Sequence, residues 1–415
     1  MSMSVPLAGK LYQFINCQII RDHKFIKEDL WVRDGKIVDP EKIFYDEQVV
    51  ADVKIDCKSR MITPGFIDLQ INGGFGFDFS FHEDTHRALD VVSKGILEHG
   101  VTAYCPTVVT SPPDIYRRVL PRIYAKQGGK FGATILGAHV EGPFISKEKK
   151  GAHPIDCILD FNQGMSEVQT TYGAFENIKI VTLAPELKNS STVIEELTKK
   201  QIIVSLGHSS ADLDESERAA LSGATLITHL FNAMMPFHHR DPGLVGLLAT
   251  ELILKGRKIF FGIIADNIHT HPAALRIAYR VHPEGLVLVT DAISALGLQA
   301  GKHKIGQLDI EIRDNKAYIA HTNTLCGSIA PMITCVQNLI AATACSPEYA
   351  LEAASYHPAR VLGIEKQKGT LNYGADADFV MLNDDFSVSS TWINGECVYE
   401  ANLSGTTLCN TEGAQ

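Results

Sequence analysis

The sequence has no C-x-x-C pair among its nine cysteines, which are scattered from Cys17 to Cys409. That spacing argues against a disulfide framework and against a thiolate zinc site, and a reducing interior is the natural expectation. Nor does any stretch approach roughly 18 uninterrupted apolar residues, the length a membrane-crossing helix requires. The opening residues, MSMSVPLAGKLYQF, carry neither the basic start nor the apolar core of a secretory signal, so an intracellular, cytoplasmic setting is expected. Lys/Arg-rich runs are missing as well. With 48 acidic residues against 38 basic ones the formal charge is −10, which argues against nucleic acid or an anionic membrane as partner. A small anionic ligand remains compatible, because a pocket needs only one or two placed cations. No serine or cysteine occupies a G-x-S-x-G elbow, so covalent nucleophilic catalysis has little support.

What is present is apolar material in quantity: 45% of 415 residues are hydrophobic, enough for one large domain or one large and one small. Both ends read as β-rich. LYQFINCQII and LWVRDGKIV, turning at Asp34-Gly35, stand near the start; DADFVMLN and STWINGECVYE, turning at Asn394-Gly395, stand near the end. Neither end has enough strand to stand alone, so residues 1–60 and 365–415 are expected to form a small β-sandwich together. Between them, 61–364 alternates strand with helix. Eight apolar, β-branched runs occur at 62–73, 101–110, 134–141, 178–186, 202–209, 225–231, 259–266 and 286–292. Helical stretches such as DTHRALDVVSKGILEH, stopped by Gly100, and DESERAALS, stopped by Gly223, separate them. Eight strands with crossover helices predict an α/β chain of (β/α)8 TIM-like barrel type.

Polar residues fall at one end of these runs. Gln70, Glu141, Glu186, His208, His229, Asp266 and Asp291 each follow otherwise apolar residues at a C-terminal strand end, and in a barrel those ends converge on the face where active sites are built. Glu141, His208 and His229 offer a carboxylate and two imidazoles, a set that suits one divalent ion with a position left open for water; zinc is favoured, and iron, cobalt and manganese share the preference. Histidine is ordinarily a packed, hydrogen-bonded side chain, but strand-end placement of all three reverses that preference. His139 faces the same way as Glu141 by alternation, and serves in packing or in support of a ligand. Asp291 is a candidate general base, with metal ligation as its rival role. In ADNIHTHP, His269 is favoured to polarise a carbonyl, the alternative being that His269 and His271 both belong to a helix start. Beyond His229, the segment FNAMMPFHHRDPG places Asn232 and Arg240, and the planar fork of Arg240 suits a phosphate. The glycines at 73, 74 and 76 do not have dinucleotide-binding spacing, and Lys147, Lys149 and Lys150 read as a solvated loop or lid.

PGFIDLQINGG, GAHVEGPF, KKGAHP, SLGHSSA, THLFNAM, ADNIHTHP, LVTDAISALG and GSIAPM, in this order, resemble the N-acetylglucosamine-6-phosphate deacetylase family of the amidohydrolase superfamily, from about residue 60 to 365. The resemblance implies hydrolysis of an acetamido group on a phosphorylated amino sugar by a metal-activated water. It implies Glu141, His208 and His229 as ligands, Asp291 as the acid/base, and His269 at the substrate carbonyl. It also implies substrate contacts from Ala152, Asn232, Ala233, Arg240, Leu325, Cys326 and Gly327, and a homodimer. Where many superfamily relatives carry a histidine pair, this chain reads Asp68-Leu69-Gln70-Ile71-Asn72, so one metal rather than two is expected. A ring-opening hydrolase of cyclic amides, which would need that pair, and a non-catalytic barrel are the competing expectations.

Overall fold

The structure, a computed structural model, describes residues 9–305, 308–322 and 324–401. Eight parallel strands form the centre: Phe66–Ile71, Val101–Val109, Ala138–Glu141, Ile178–Leu183, Ile203–Leu206, Leu226–Ile227, Phe260–Ile263 and Leu286–Leu288. Each pairs in parallel with the next. Closure between the eighth and first comes from a parallel bridge, Ile71 to Ala292. Asp291 N also donates to Gln70 O over 2.8 Å. The expected (β/α)8 barrel is therefore present. Its third strand is shorter than the run 134–141, because Gly137 takes a φ of 123°, and Thr134–Ile135 pairs separately with the second strand.

The barrel interior is layered by the two-residue period of its strands. Ile67, Leu69, Ala103, Cys105, Ile180, Leu226, Val287 and Val289 form one buried apolar cluster, which Ala359, Val361 and Leu362 of the helix Tyr356–Leu362 join. Two residues further along their strands than Ile180, Ile203 and Leu226 stand Thr182, Ser205 and Thr228, all buried. A polar layer thus replaces the apolar one as the C-terminal face is approached. Outside the strands, the helix Leu213–Ser222 begins with a capping box, Asp212 accepting from Glu215 N while the Glu215 side chain accepts from Asp212 N. It ends at Gly223, as its sequence predicts.

Strands from both ends of the chain meet in a six-stranded sheet ordered Glu396–Glu400, Val388–Ile393, Phe379–Leu382, Met61–Pro64, Gln18–Arg21, Lys24–Ile26. Leu11–Ile15, Leu30–Arg33, Lys36–Ile37 and Val53–Asp56 make a second sheet. Phe14 of that sheet contacts Phe379 and Trp392 of the first edge-on, with ring centroids 5.1 and 5.0 Å away. The strand Met61–Pro64 lies in this sheet although the sequence places it past the expected boundary at residue 60.

One element has no counterpart in the sequence reading. An antiparallel meander of Gly301–Ile305, Leu308–Arg313, Lys316–Ile319 and Leu325–Gly327 follows the eighth barrel strand. It returns to the barrel where Ala292 bridges Ser328 and Ile293 N donates to Ser328 O over 3.0 Å. Among the described residues no helix is long and apolar enough to cross a membrane.

Candidate active site

Glu141 ends the third strand, His208 stands two residues past the fifth and His229 two past the sixth. Their donor atoms converge. Glu141 Oε1 lies 3.1 Å from His208 Nε2 and 3.0 Å from His229 Nε2, and the two Nε2 atoms are 3.0 Å apart. All three side chains are buried, and among the described residues this is the one group of three or more His, Cys, Asp or Glu that could hold a metal ion. The proton on His208 Nδ1 is directed at Lys149 O, 2.9 Å away, which leaves the Nε2 lone pair aimed into the triangle. A single proton placed there could satisfy only part of the cluster, whereas a divalent cation satisfies all three donors at once. The donor set fits such an ion.

Charge confirms how tightly these groups are coupled. With no ion in the triangle, burial alone would raise the Glu141 carboxyl, but the His208 and His229 rings, when protonated at Nε2, donate to it and bring positive charge, and so hold it well below the usual carboxylate range. His229 moves the opposite way: burial lowers it, and the hydrogen bond and charge of Glu141 more than reverse that. The backbone here is strained. His208, His229 and Asp291 have φ of 48°, 27° and 45°, and Phe231, Ala233 and Asn267 are also left-handed. Such conformations cost about 1–3 kcal/mol each in a non-glycine residue and persist only where surrounding structure over-determines them. Here His208 O accepts from Ser146 N over 2.8 Å, Leu230 N donates to Gly262 O over 2.7 Å, and Asp291 N is held by strand closure.

Asp291 is gripped by two amides. Asn72 Nδ2 donates to its Oδ1 over 2.8 Å and Gln70 Nε2 over 3.2 Å, while the same Gln70 nitrogen also reaches Glu141 Oε1 at 3.0 Å. Residues that cannot bind a second cation well instead pin the two carboxylates. Burial, aided by the charge of Glu141, raises the Asp291 carboxyl to about 6 against the opposing pull of His229, Asn72 and His269.

The two histidines of ADNIHTHP separate in role. His269 Nδ1 donates to Asp266 Oδ2 over 2.6 Å and its backbone N to Asp266 Oδ1 over 2.7 Å. Burial lowers His269, but the hydrogen bond and charge of Asp266 outweigh it and favour the imidazolium. His271 caps the helix Pro272–Val281, accepting from Ala273 N. Glu186, three residues past the fourth strand, accepts from Ser209 Oγ, Ser210 N and Ser210 Oγ. It orders the turn that follows the fifth strand and does not join the donor triangle.

Around this centre, Asn232 and Ala233 continue directly from His229; Asn232 N donates to His229 O over 3.0 Å and Ala233 O accepts from Ser209 N over 3.1 Å. Ala152 is exposed on the loop that supplies Lys149 O. Leu325, Cys326 and Gly327 form the last strand of the meander, anchored beside Asp291 through the bridge from Ser328 to Ala292. Arg240 is exposed and, among the described residues, forms no ion pair within 4 Å. His153, within KKGAHP, also reaches this centre, which the sequence does not announce. Its ring stands 4.4 Å from that of His208 and its Nδ1 is 2.7 Å from Thr110 Oγ1. Burial, with the charge of His208, pushes it down to about 3, so it stays neutral. Its place beside Ala152 is the local signal; the contact with His208, more than 50 positions away, depends on the tertiary fold.

A closed barrel with a buried carboxylate–imidazole triangle at its C-terminal face defines a hydrolase of the amidohydrolase kind, and the model of the Amidohydrolase family matches residues 61–398. The chain is 58% identical to human N-acetylglucosamine-6-phosphate deacetylase over 395 residues, covering 95% of this chain and 97% of that protein. It is 45% identical to the Caenorhabditis elegans protein of the same name over 401 residues, 95% and 96% of the two chains. In structure it is similar to the Pasteurella multocida N-acetylglucosamine-6-phosphate deacetylase, with a TM-score of 0.80 and 32% identity across 94% of this chain and 100% of that one. A Mycobacterium smegmatis deacetylase mutant in complex with N-acetyl-D-glucosamine-6-phosphate aligns at a TM-score of 0.78 and 28% identity, over 94% and 99%. The chain belongs to the N-acetylglucosamine-6-phosphate deacetylase family of amidohydrolases.

Proposed function

We propose that this protein hydrolyses N-acetyl-D-glucosamine 6-phosphate to D-glucosamine 6-phosphate and acetate, with residues 61–364 as the catalytic unit. The observation that carries the reading is the convergence of Glu141 Oε1, His208 Nε2 and His229 Nε2 beside an Asp291 whose carboxylate is held by Gln70 and Asn72. Glu141, His208 and His229 would hold one divalent ion, zinc in our reading, which when bound would supply Lewis-acid polarisation of the scissile carbonyl and of a water. Asp291 takes the proton of the attacking water and returns it to the departing nitrogen. His269, kept protonated by Asp266, donates to the oxygen on which charge develops. Asn232, Ala233, Ala152 and the stretch Leu325–Gly327 line the sugar, and Arg240 takes its phosphate. A homodimer is the expected assembly. The cyclic-amide alternative is disfavoured because Gln70 and Asn72 stand where it needs histidines. Release of acetate from the phosphorylated sugar by purified, zinc-loaded protein is the test; no release with zinc, cobalt, manganese or ferrous iron would defeat the proposal.

Two further outcomes follow. Arg240→Ala should erase the preference for phosphorylated over plain N-acetylglucosamine, cutting kcat/KM on the former about 10- to 100-fold, the worth of a charge-assisted hydrogen bond. An unchanged preference would put the phosphate elsewhere. Because Asp291 must be ionised to accept a proton, kcat/KM should rise with pH along an acid limb that lies no higher than about 6, the position of this carboxyl with no cation in the triad. A cation in the triad adds to the pull of His229 and moves that limb downward, so a pH profile rising only above 7 would be contrary to this role.

A further inference from the structure

Beneath the donor triangle runs a chain of hydrogen bonds that crosses the barrel. His139 Nδ1 lies 2.8 Å from Leu69 O and its Nε2 2.8 Å from Thr182 Oγ1; Thr182 Oγ1 is 2.7 Å from Thr228 Oγ1, which is 2.5 Å from Ser205 Oγ. Every member is buried. A carbonyl can only accept, so Nδ1 carries the proton and the neutral ring accepts at Nε2. The remaining directions are then forced. Thr182 donates to His139, Thr228 to Thr182 and Ser205 to Thr228, each hydroxyl giving its one proton once. A protonated His139 would reverse the sequence and leave the Ser205 proton without an acceptor in it.

The chain is placed where the site is. Leu69 precedes Gln70, His139 is two residues before Glu141, Ser205 three before His208 and Thr228 immediately before His229; Thr182 is the register partner of Glu141. We infer that His139, Thr182, Thr228 and Ser205 act together as positioning residues that hold the three metal donors and the Gln70 amide at their working separation. Strands five and six contribute only short ladders, Ser205 with Leu226 and Leu206 with Ile227, so side-chain bonds between them carry more of the alignment. The inference rests on reading Glu141, His208 and His229 as metal ligands.

The test is zinc affinity by chelator competition, with kcat, KM and thermal stability, on the full chain. Thr228→Val keeps the shape of the side chain and breaks the sequence in the middle; Ser205→Ala removes only its first donor. We expect T228V to bind zinc about 10- to 100-fold more weakly, the usual effect of losing support behind a metal ligand, and to lower kcat with KM unchanged. S205A should show the same changes at smaller size. His139→Gln, which can still accept from Thr182, should retain more zinc affinity than His139→Ala. Zinc affinity and kcat unchanged in T228V and S205A, with only thermal stability altered, would overturn the inference, as would equal losses in H139Q and H139A. Failure of the unsubstituted protein to bind any divalent ion would instead defeat the ligand assignment, and this inference with it.

Discussion

Replacing Asp291 with asparagine should lower kcat by about 10²- to 10⁴-fold, the usual worth of a positioned proton carrier, while metal content stays at the level of the unsubstituted protein. The geometry explains why the two effects separate. Gln70 and Asn72 both donate to Oδ1 of Asp291, and an asparagine presents a carbonyl oxygen that accepts the same two bonds. The side chain therefore stays in place, but its other atom becomes an NH2 that cannot take a proton. Removing a buried carboxyl that burial has raised to about 6 also removes its desolvation penalty, so the folded state should not suffer. Metal analysis beside steady-state kinetics checks the outcome. Parallel loss of metal and turnover would move Asp291 into the ligand set, the role its position alone also permits.

Glu141→Gln should act in the reverse order, removing metal first. Glu141 is the one anion in the triangle, and its Oε1 is shared by His208 Nε2, His229 Nε2 and the Gln70 amide. A glutamine oxygen can still accept from Gln70, yet it brings no charge to balance a divalent ion in a buried site. Zinc affinity should fall by more than about 100-fold, beyond what loss of an outer contact costs, and turnover should fall with it. Chelator competition and metal analysis read the first effect, and circular dichroism should show the fold intact, because the buried negative charge leaves together with its cation. Full zinc content in E141Q would remove Glu141 from the ligands.

The contrast between these two carboxylates marks how far residue type and order can go. Glu141 and Glu186 look alike in the chain, each a glutamate closing an apolar run. They part because the Glu186 carboxylate is taken up by Ser209 and Ser210, residues more than 20 positions away. The pattern favours His269 over His271 for a carbonyl but does not show what holds either ring; Asp266 takes the first and the backbone of Ala273 the second. The meander from Gly301 to Gly327 has short strands stabilised by one another; its signal is the alternation of LDIEIR before the Asp314-Asn315 turn, not a continuous apolar run of the barrel kind.

By its order of apolar runs, helix stops and polar strand ends, the sequence alone determined the barrel, its eight strands and the set of polar strand ends from which the three converging donors come, since these follow from two-residue alternation and from where a buried strand can tolerate polarity. Only the tertiary structure decided how those donors meet. Closure of strand eight on strand one brings Asp291 to Gln70 and Asn72 from about 220 residues away, and the hydroxyl chain through Thr182, Thr228 and Ser205 joins strands four, six and five across the interior. Contacts between distant segments depend on how the whole barrel closes, and no local periodicity encodes that.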